Sequence, residues 1–119
     1  MDRRIQIVTS QIEGQFSGKL KIGSLARLVN VSESHLRHLF KSETGLTPTQ
    51  YLKQLRLRKA QTLLETTFLS VKQISNQVGF CDETYFSREF KRTFGVAPGR
   101  YRQTGSNGLK QAVASRAND

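Results

Sequence analysis

The chain contains its own partial copy. A shift of 50 positions lays Glu33, Phe40, Lys41, Gly45, Pro48 and Tyr51 on identical residues at Glu83, Phe90, Lys91, Gly95, Pro98 and Tyr101. Just upstream the matching shift is 49, pairing Leu25 with Ile74 and Val29 with Val78. The second copy therefore carries one extra residue, at Cys81-Asp82. Two copies inside 119 residues mean two small subdomains of one construction, each built from a few short elements.

Apolar residues within each copy recur at three- and four-residue spacing, which predicts helices. From Asp2 to Phe16 the stripe is Ile5, Val8, Ile12 and Phe16, with Gly18 as a stop. Ile22 to Asn30 reads as a short helix with Leu25, Leu28 and Val29 on its buried side. Ser32 offers an N-cap to a helix that runs to Thr44 and is closed by Gly45. Thr47 caps the next helix and Pro48 takes its first position. That helix extends to about Thr66, burying Leu52, Leu55, Ala60, Leu63 and Leu64. The pattern then returns: Ser70 to Val78 is short, Asp82 to Phe94 is longer, and a last turn runs from Pro98 to about Gln103. The expected architecture is all-α, with two helix-turn-helix subdomains at 1–46 and 67–103 and a linker helix at 47–66. The stretch 104–119 has too little apolar side chain to pack, and is expected to be a disordered, dispensable tail.

Charge narrows the partner. Lys and Arg number 19 against 9 Asp and Glu, a formal net charge of +10, which attracts polyanions. No run of 18 apolar residues is present to span a bilayer, and no apolar stretch follows the basic start Arg3-Arg4. The expected compartment is the cytoplasm, with no membrane partner. Cys81 is the only cysteine, which excludes an internal disulfide or a Cys-based zinc site, and it reads as a tolerant turn position. His35 and His38 lie three apart, without the further ligands a metal needs. No nucleophile motif, phosphate-cradling glycine loop or paired-carboxylate motif appears, so neither an enzyme nor a cofactor is expected.

A short helix, a tight turn and a longer second helix suit a helix-turn-helix, whose second helix enters the major groove of DNA. Such a helix needs one face for packing and the opposite face for bases. At about 100° per residue, Leu36, Leu39 and Phe40 fall on one side of the first candidate, and Ser34, Arg37, His38 and Lys41 on the other. In the second copy Phe86, Phe90 and Phe94 form the packing stripe, while Thr84, Ser87, Arg88 and Lys91 point largely away. The exposed sets mix hydroxyls that suit phosphates with donors that suit base edges. Lys41, Lys53, Lys72, Lys91 and Arg92 are the expected phosphate contacts, helped by the amide ends of helices starting near Gly23 and Ser70.

The segment from Ile74 to Pro98, which includes Val78-Gly79-Phe80, Tyr85-Phe86-Ser87-Arg88, Phe90-Lys91 and Gly95-Val96-Ala97-Pro98, closely resembles the signature of the AraC/XylS family of bacterial transcriptional regulators. The first copy is similar through Leu25-Ala26, Ser32, His35-Leu36, Phe40-Lys41, Glu43-Thr44-Gly45, Pro48 and Tyr51-Leu52. The resemblance covers about residues 5 to 102 and implies seven helices, with a long central one joining two helix-turn-helix subdomains. Carried over by position, it implies base contacts at Ser34, Arg37 and His38 in the first unit. In the second it implies Glu83, Thr84, Ser87 and Arg88. Two departures stand out. Members usually have Arg where His38 stands, with a small residue at the place of Arg37, and a hydroxyl residue where Ala97 precedes Pro98.

The expected function is sequence-specific binding of double-stranded DNA in transcription regulation, as an activator or a repressor. The helices at 33–44 and 82–94 would read two successive major-groove segments. A linker helix over 47–66 would be about 30 Å long, near the repeat of the groove. The chain by itself is expected to bind as a monomer, with dimerisation left to a longer protein. A nonspecific architectural binder would explain the charge but not two differing recognition faces. A helical module for a protein partner such as RNA polymerase is compatible with DNA binding.

Overall fold

The computed structural model describes residues 1–103. The expectation for 104–119 lies outside the described residues. Six helices follow in order, α1 (Arg3–Gln15), α2 (Ile22–Leu28), α3 (Glu33–Thr44), α4 (Pro48–Thr66), α5 (Val71–Gln77) and α6 (Glu83–Phe94). Residues 98–103 form a further helical turn, α7. No strand occurs among the described residues. The chain divides into two compact units inside α4, the first Met1–Arg56 and the second from Leu57 onward.

Local chemistry sets the helix ends. Asp2 accepts a hydrogen bond from Arg4 N at the start of α1, and Ser32 accepts from His35 N at the start of α3. Thr47 Oγ1 accepts from Gln50 N at 3.2 Å while Gln50 Oε1 accepts from Thr47 N at 3.0 Å. This reciprocal box satisfies two backbone donors at the start of α4. Ser70 and Gln73 form the same box on α5. At α7 the equivalent residue is Ala97. Its carbonyl accepts from Tyr101 N at 2.8 Å, but its methyl side chain cannot cap. Gly45 and Gly95 end α3 and α6 at φ of 82° and 86°, a left-handed conformation that costs other residues strain.

The first unit closes around Ile5, Val8, Ile12, Leu25, Ala26, Leu36, Phe40 and Leu55, with Phe16, Leu20, Val31, Leu39 and Leu52 at its margin. The expected burial of Leu28 is not observed: Leu28 is 50% exposed and Ala26 takes the inward position. The buried arc of α2 runs through Leu25, Val29 and Ala26, and Leu28 sits about 100° from its centre. In α4 Leu55, Ala60 and Leu64 are buried as expected, and Leu57 joins them, whereas Leu52 and Leu63 are only half-buried. The second unit is more aromatic. Phe86, Phe90 and Phe94 stack along α6 with centroids 5.8 and 4.5 Å apart. Phe80 meets Phe86 at 5.1 Å, and Tyr101 stands edge-on to Phe90 at 5.6 Å. Tyr51 repeats that edge-on contact with Phe40 at 5.4 Å in the first unit.

Candidate nucleic-acid interface

Each unit presents its longer helix through a turn of one design. In the first, α2 ends at Leu28, Asn30 takes φ of 59°, and Val31 N donates back to Ala26 O at 3.1 Å. In the second, α5 ends at Gln77, Gly79 takes φ of 102°, and Phe80 N donates back to Ser75 O at 2.9 Å. Asn and Gly are the residues that most readily adopt positive φ, which explains their shared place at a shift of 49. The caps Ser32 and Asp82 are related by a shift of 50. The inserted residue is therefore Cys81, between anchored Phe80 and capping Asp82, and it is exposed.

On α3, Leu36 and Phe40 are fully buried, while Glu33, Ser34, His35, Arg37, His38 and Lys41 are exposed. Arg37 Nη2 lies 3.4 Å from Glu33 Oε1, an exposed pair one helical turn apart. Such a pair contributes about 0.3–0.5 kcal/mol and weakens with salt. On α6, Phe86 and Phe90 are buried and Glu83, Thr84, Tyr85, Arg88, Lys91 and Arg92 are exposed. Ser87, expected on the reading face, is half-buried at its edge. Asp82 Oδ1 accepts from Thr84 N at 2.8 Å and Tyr85 N at 3.2 Å, which fixes the first turn. Glu83 in that turn and Lys91 and Arg92 in the last suit the helix dipole.

The expected phosphate contacts fall into two groups. Lys41, Lys72 and Lys91 are exposed. Lys53 is half-buried and engaged within the fold. Arg92 lies 3.5 Å from Glu89, whose carboxylate is almost fully buried. The helix amide ends are less open than the sequence suggests. Ser70 N donates to Gln73 Oε1 at 2.8 Å, and Gln73 N to Ser70 Oγ at 3.0 Å. At Gly23 an added Cβ would lie 3.2 Å from Glu33 Oε2, so that carboxylate borders the first turn of α2.

Sequence reasoning missed two cations that serve the scaffold. Arg56 Nε donates to Phe16 O at 2.7 Å, and its Nη2 to Gly18 O at 2.8 Å. Arg102 donates to Leu64 O, Thr67 O and Leu69 O. Each guanidinium collects carbonyls at and just past a helix end, α1 in one unit and α4 in the other, satisfying acceptors the helix leaves open. The shift between these two arginines is 46, not 50, so the repeat pattern does not reveal that they share a role. Among the described residues no helix is long and apolar enough to cross a membrane.

Residues 25–104 match the family model described as a helix-turn-helix domain. The Msm operon regulatory protein of Streptococcus mutans is 38% identical over 92 residues, which span 77% of this chain and 33% of that protein. The chain thus spans about a third of the length of the curated relatives it matches. A transcriptional regulator from Chromobacterium violaceum, described among AraC-type DNA-binding domain-containing proteins, superposes with a TM-score of 0.79 at 31% identity. The match covers 85% of this chain and 90% of that one. The DNA-binding domain of AdpA, solved in complex with a target DNA, gives 0.81 at 27% identity, covering 87% and 93%. With the duplicated turn, the capped second helices and these matches together, the chain belongs to the AraC/XylS family, as a helix-turn-helix DNA-binding domain of transcriptional regulators.

Proposed function

We propose that this chain recognises an asymmetric DNA site by inserting α3 and α6 into successive major-groove segments. Ser34, Arg37 and His38 read bases from α3, and Glu83, Thr84, Ser87 and Arg88 from α6. The observation that carries the reading is the two-faced chemistry of α6: a buried phenylalanine stripe opposite exposed Thr84, Arg88 and Lys91. The packing face ties the helix to its unit, and the donors on the other face remain available to base edges and phosphates. Arg88, which has no ion-pair partner among the described residues, suits the O6 and N7 of a guanine, the commonest specific contact. The recognition faces differ between the units, so the half-elements differ in sequence. The reading places the protein with its DNA in the bacterial cytoplasm, binding as a monomer in this isolated form. An activator needs RNA polymerase as a second partner, through surfaces other than the two reading faces.

Site selection from random duplexes, followed by Arg88→Ala on the selected site, tests this. The substitution should cost about 1–3 kcal/mol on the specific duplex and relax preference at one base. Equal losses on specific and scrambled DNA would reduce Arg88 to a phosphate contact. Inserting five base pairs between half-elements turns the second onto the opposite DNA face, and affinity should fall toward that of one unit. An unchanged footprint would leave a single reading unit. In vitro transcription from a template bearing the site decides the activator reading: no gain in transcript on adding the protein would overturn it.

A further inference from the structure

Arg88 is a long, flexible side chain, and its guanidinium is not left to wander. Its Cζ lies 5.5 Å from the centroid of the Tyr85 ring, one helical turn back on the same face. Tyr85 is 38% exposed, yet its ring is held from below: it meets Phe80 at 5.9 Å, and Phe80, only 6% exposed, meets buried Phe86 at 5.1 Å. Its backbone N–H is fixed by Asp82. A column of rings therefore runs from the core of the second unit to the surface and ends beneath Arg88.

We propose that Tyr85 is a positioning residue that sets the specificity of Arg88, holding the guanidinium on its ring so that the N–H groups are already directed when DNA arrives. This rests on the reading of Arg88 as a base contact. The physical reason is entropic. A side chain ordered before binding loses less freedom on binding, and a weakly hydrated guanidinium stacks on an aromatic face without giving up its in-plane donors. The first unit is built differently. The residue matching Tyr85 at a shift of 50 is His35, and Arg37 is held by the exposed Glu33 carboxylate. That ionic restraint weakens with salt, whereas the restraint on Arg88 depends on ring contact.

The test compares Tyr85→Leu and Tyr85→Phe on the selected site and on duplexes changed at the base that Arg88 reads. Tyr85→Leu should lower discrimination at that base by about two- to fivefold, the worth of an exposed cation–π contact. Tyr85→Phe keeps the ring and should keep the discrimination. In the free protein the Arg88 Nε–H proton resonance should move on Tyr85→Leu, as ring shielding is lost, and stay on Tyr85→Phe. If Tyr85→Leu folds poorly, Tyr85→Met fills the same place against Phe80 and should behave as Leu does. Full discrimination retained in Tyr85→Leu or Tyr85→Met overturns the proposal. So does a Tyr85→Phe variant that loses discrimination at that base as Tyr85→Leu does, which would place the effect in the hydroxyl and not in the ring. Arg88→Ala separates the two levels: if it leaves base preference intact, the reading of Arg88 has failed. If it relaxes preference while Tyr85→Leu does not, only the positioning role has failed.

Discussion

The Tyr101 hydroxyl donates a hydrogen bond of 2.9 Å to Glu65 Oε2. Tyr51 makes the counterpart bond to Glu13 Oε1 at 3.1 Å in the first unit, and both tyrosines stand edge-on to the phenylalanine that ends the buried stripe of the preceding long helix. Burial first, and the Glu65 carboxylate second, push the Tyr101 phenol up to about 12. The ordinary phenol value is near 10. Below that value the phenol is protonated in both states and its contribution to stability is complete. Between 10 and about 12 the unfolded chain loses the proton while the folded chain keeps it, so stability falls as pH rises. Urea unfolding at pH 8 and pH 11 should show Tyr101→Phe less stable by about 1 kcal/mol at the lower pH. Its disadvantage should shrink or vanish at the higher. An equal deficit at both would show that the phenol does not titrate late.

Arg102 and Arg56 belong to the scaffold, whatever the charge of the chain suggests. Arg102→Ala leaves the carbonyls of Leu64, Thr67 and Leu69 without their shared donor, and should cost about 2 kcal/mol or more. Arg102→Lys should recover only part, since one ammonium cannot reproduce the planar fork. The loss belongs in the melting temperature. Salt slopes of DNA binding measured well below the melt should stay as in the parent chain, and a slope lowered by one would make Arg102 a phosphate contact.

Ser75 carries a buried cost. Its Oγ is fully buried and has no hydrogen-bond partner among the described residues, while the equivalent residue of the first unit is Ala26, also buried. Removing an unsatisfied hydroxyl relieves a desolvation penalty of about 1–3 kcal/mol, set against a small loss of packing. Ser75→Ala should raise the thermal midpoint by several degrees with DNA affinity unchanged. A lower midpoint would mean that the hydroxyl has a partner after all.

The exposed and the engaged cations should separate in a salt titration. Lys41→Ala, Lys72→Ala and Lys91→Ala should each weaken binding on all sequences alike, and each should reduce the salt slope by about one. Lys53→Ala and Arg92→Ala should also lower stability, because Lys53 is engaged within the fold and Arg92 pairs with buried Glu89. An unchanged slope in Lys91→Ala would remove it from the phosphate set.

Helix starts, helix ends and packing stripes were legible in the sequence because they depend on residues three or four apart. Ser32, Thr47 and Ser70 cap through backbone donors three residues on, and Gly45 and Gly95 close helices through their own backbone freedom. The repeat was equally legible, since Phe40 with Tyr51 and Phe90 with Tyr101 recur in register and form the same contact. The roles of individual cations were not. Arg56 reaches residues 38 and 40 positions away, and Arg102 reaches residues 33 to 38 positions away; nothing in the local sequence distinguishes them from arginines left in solvent. Leu28 faces outward because the buried arc of α2 is centred by the core of its unit and not by the periodicity alone. The ring column beneath Arg88 likewise needed the turn to bring Phe80 back under Tyr85. Sequence determined the elements and their two-faced chemistry through short-range bonding, and tertiary structure decided which donors were consumed in holding the chain together and which stayed free for a partner.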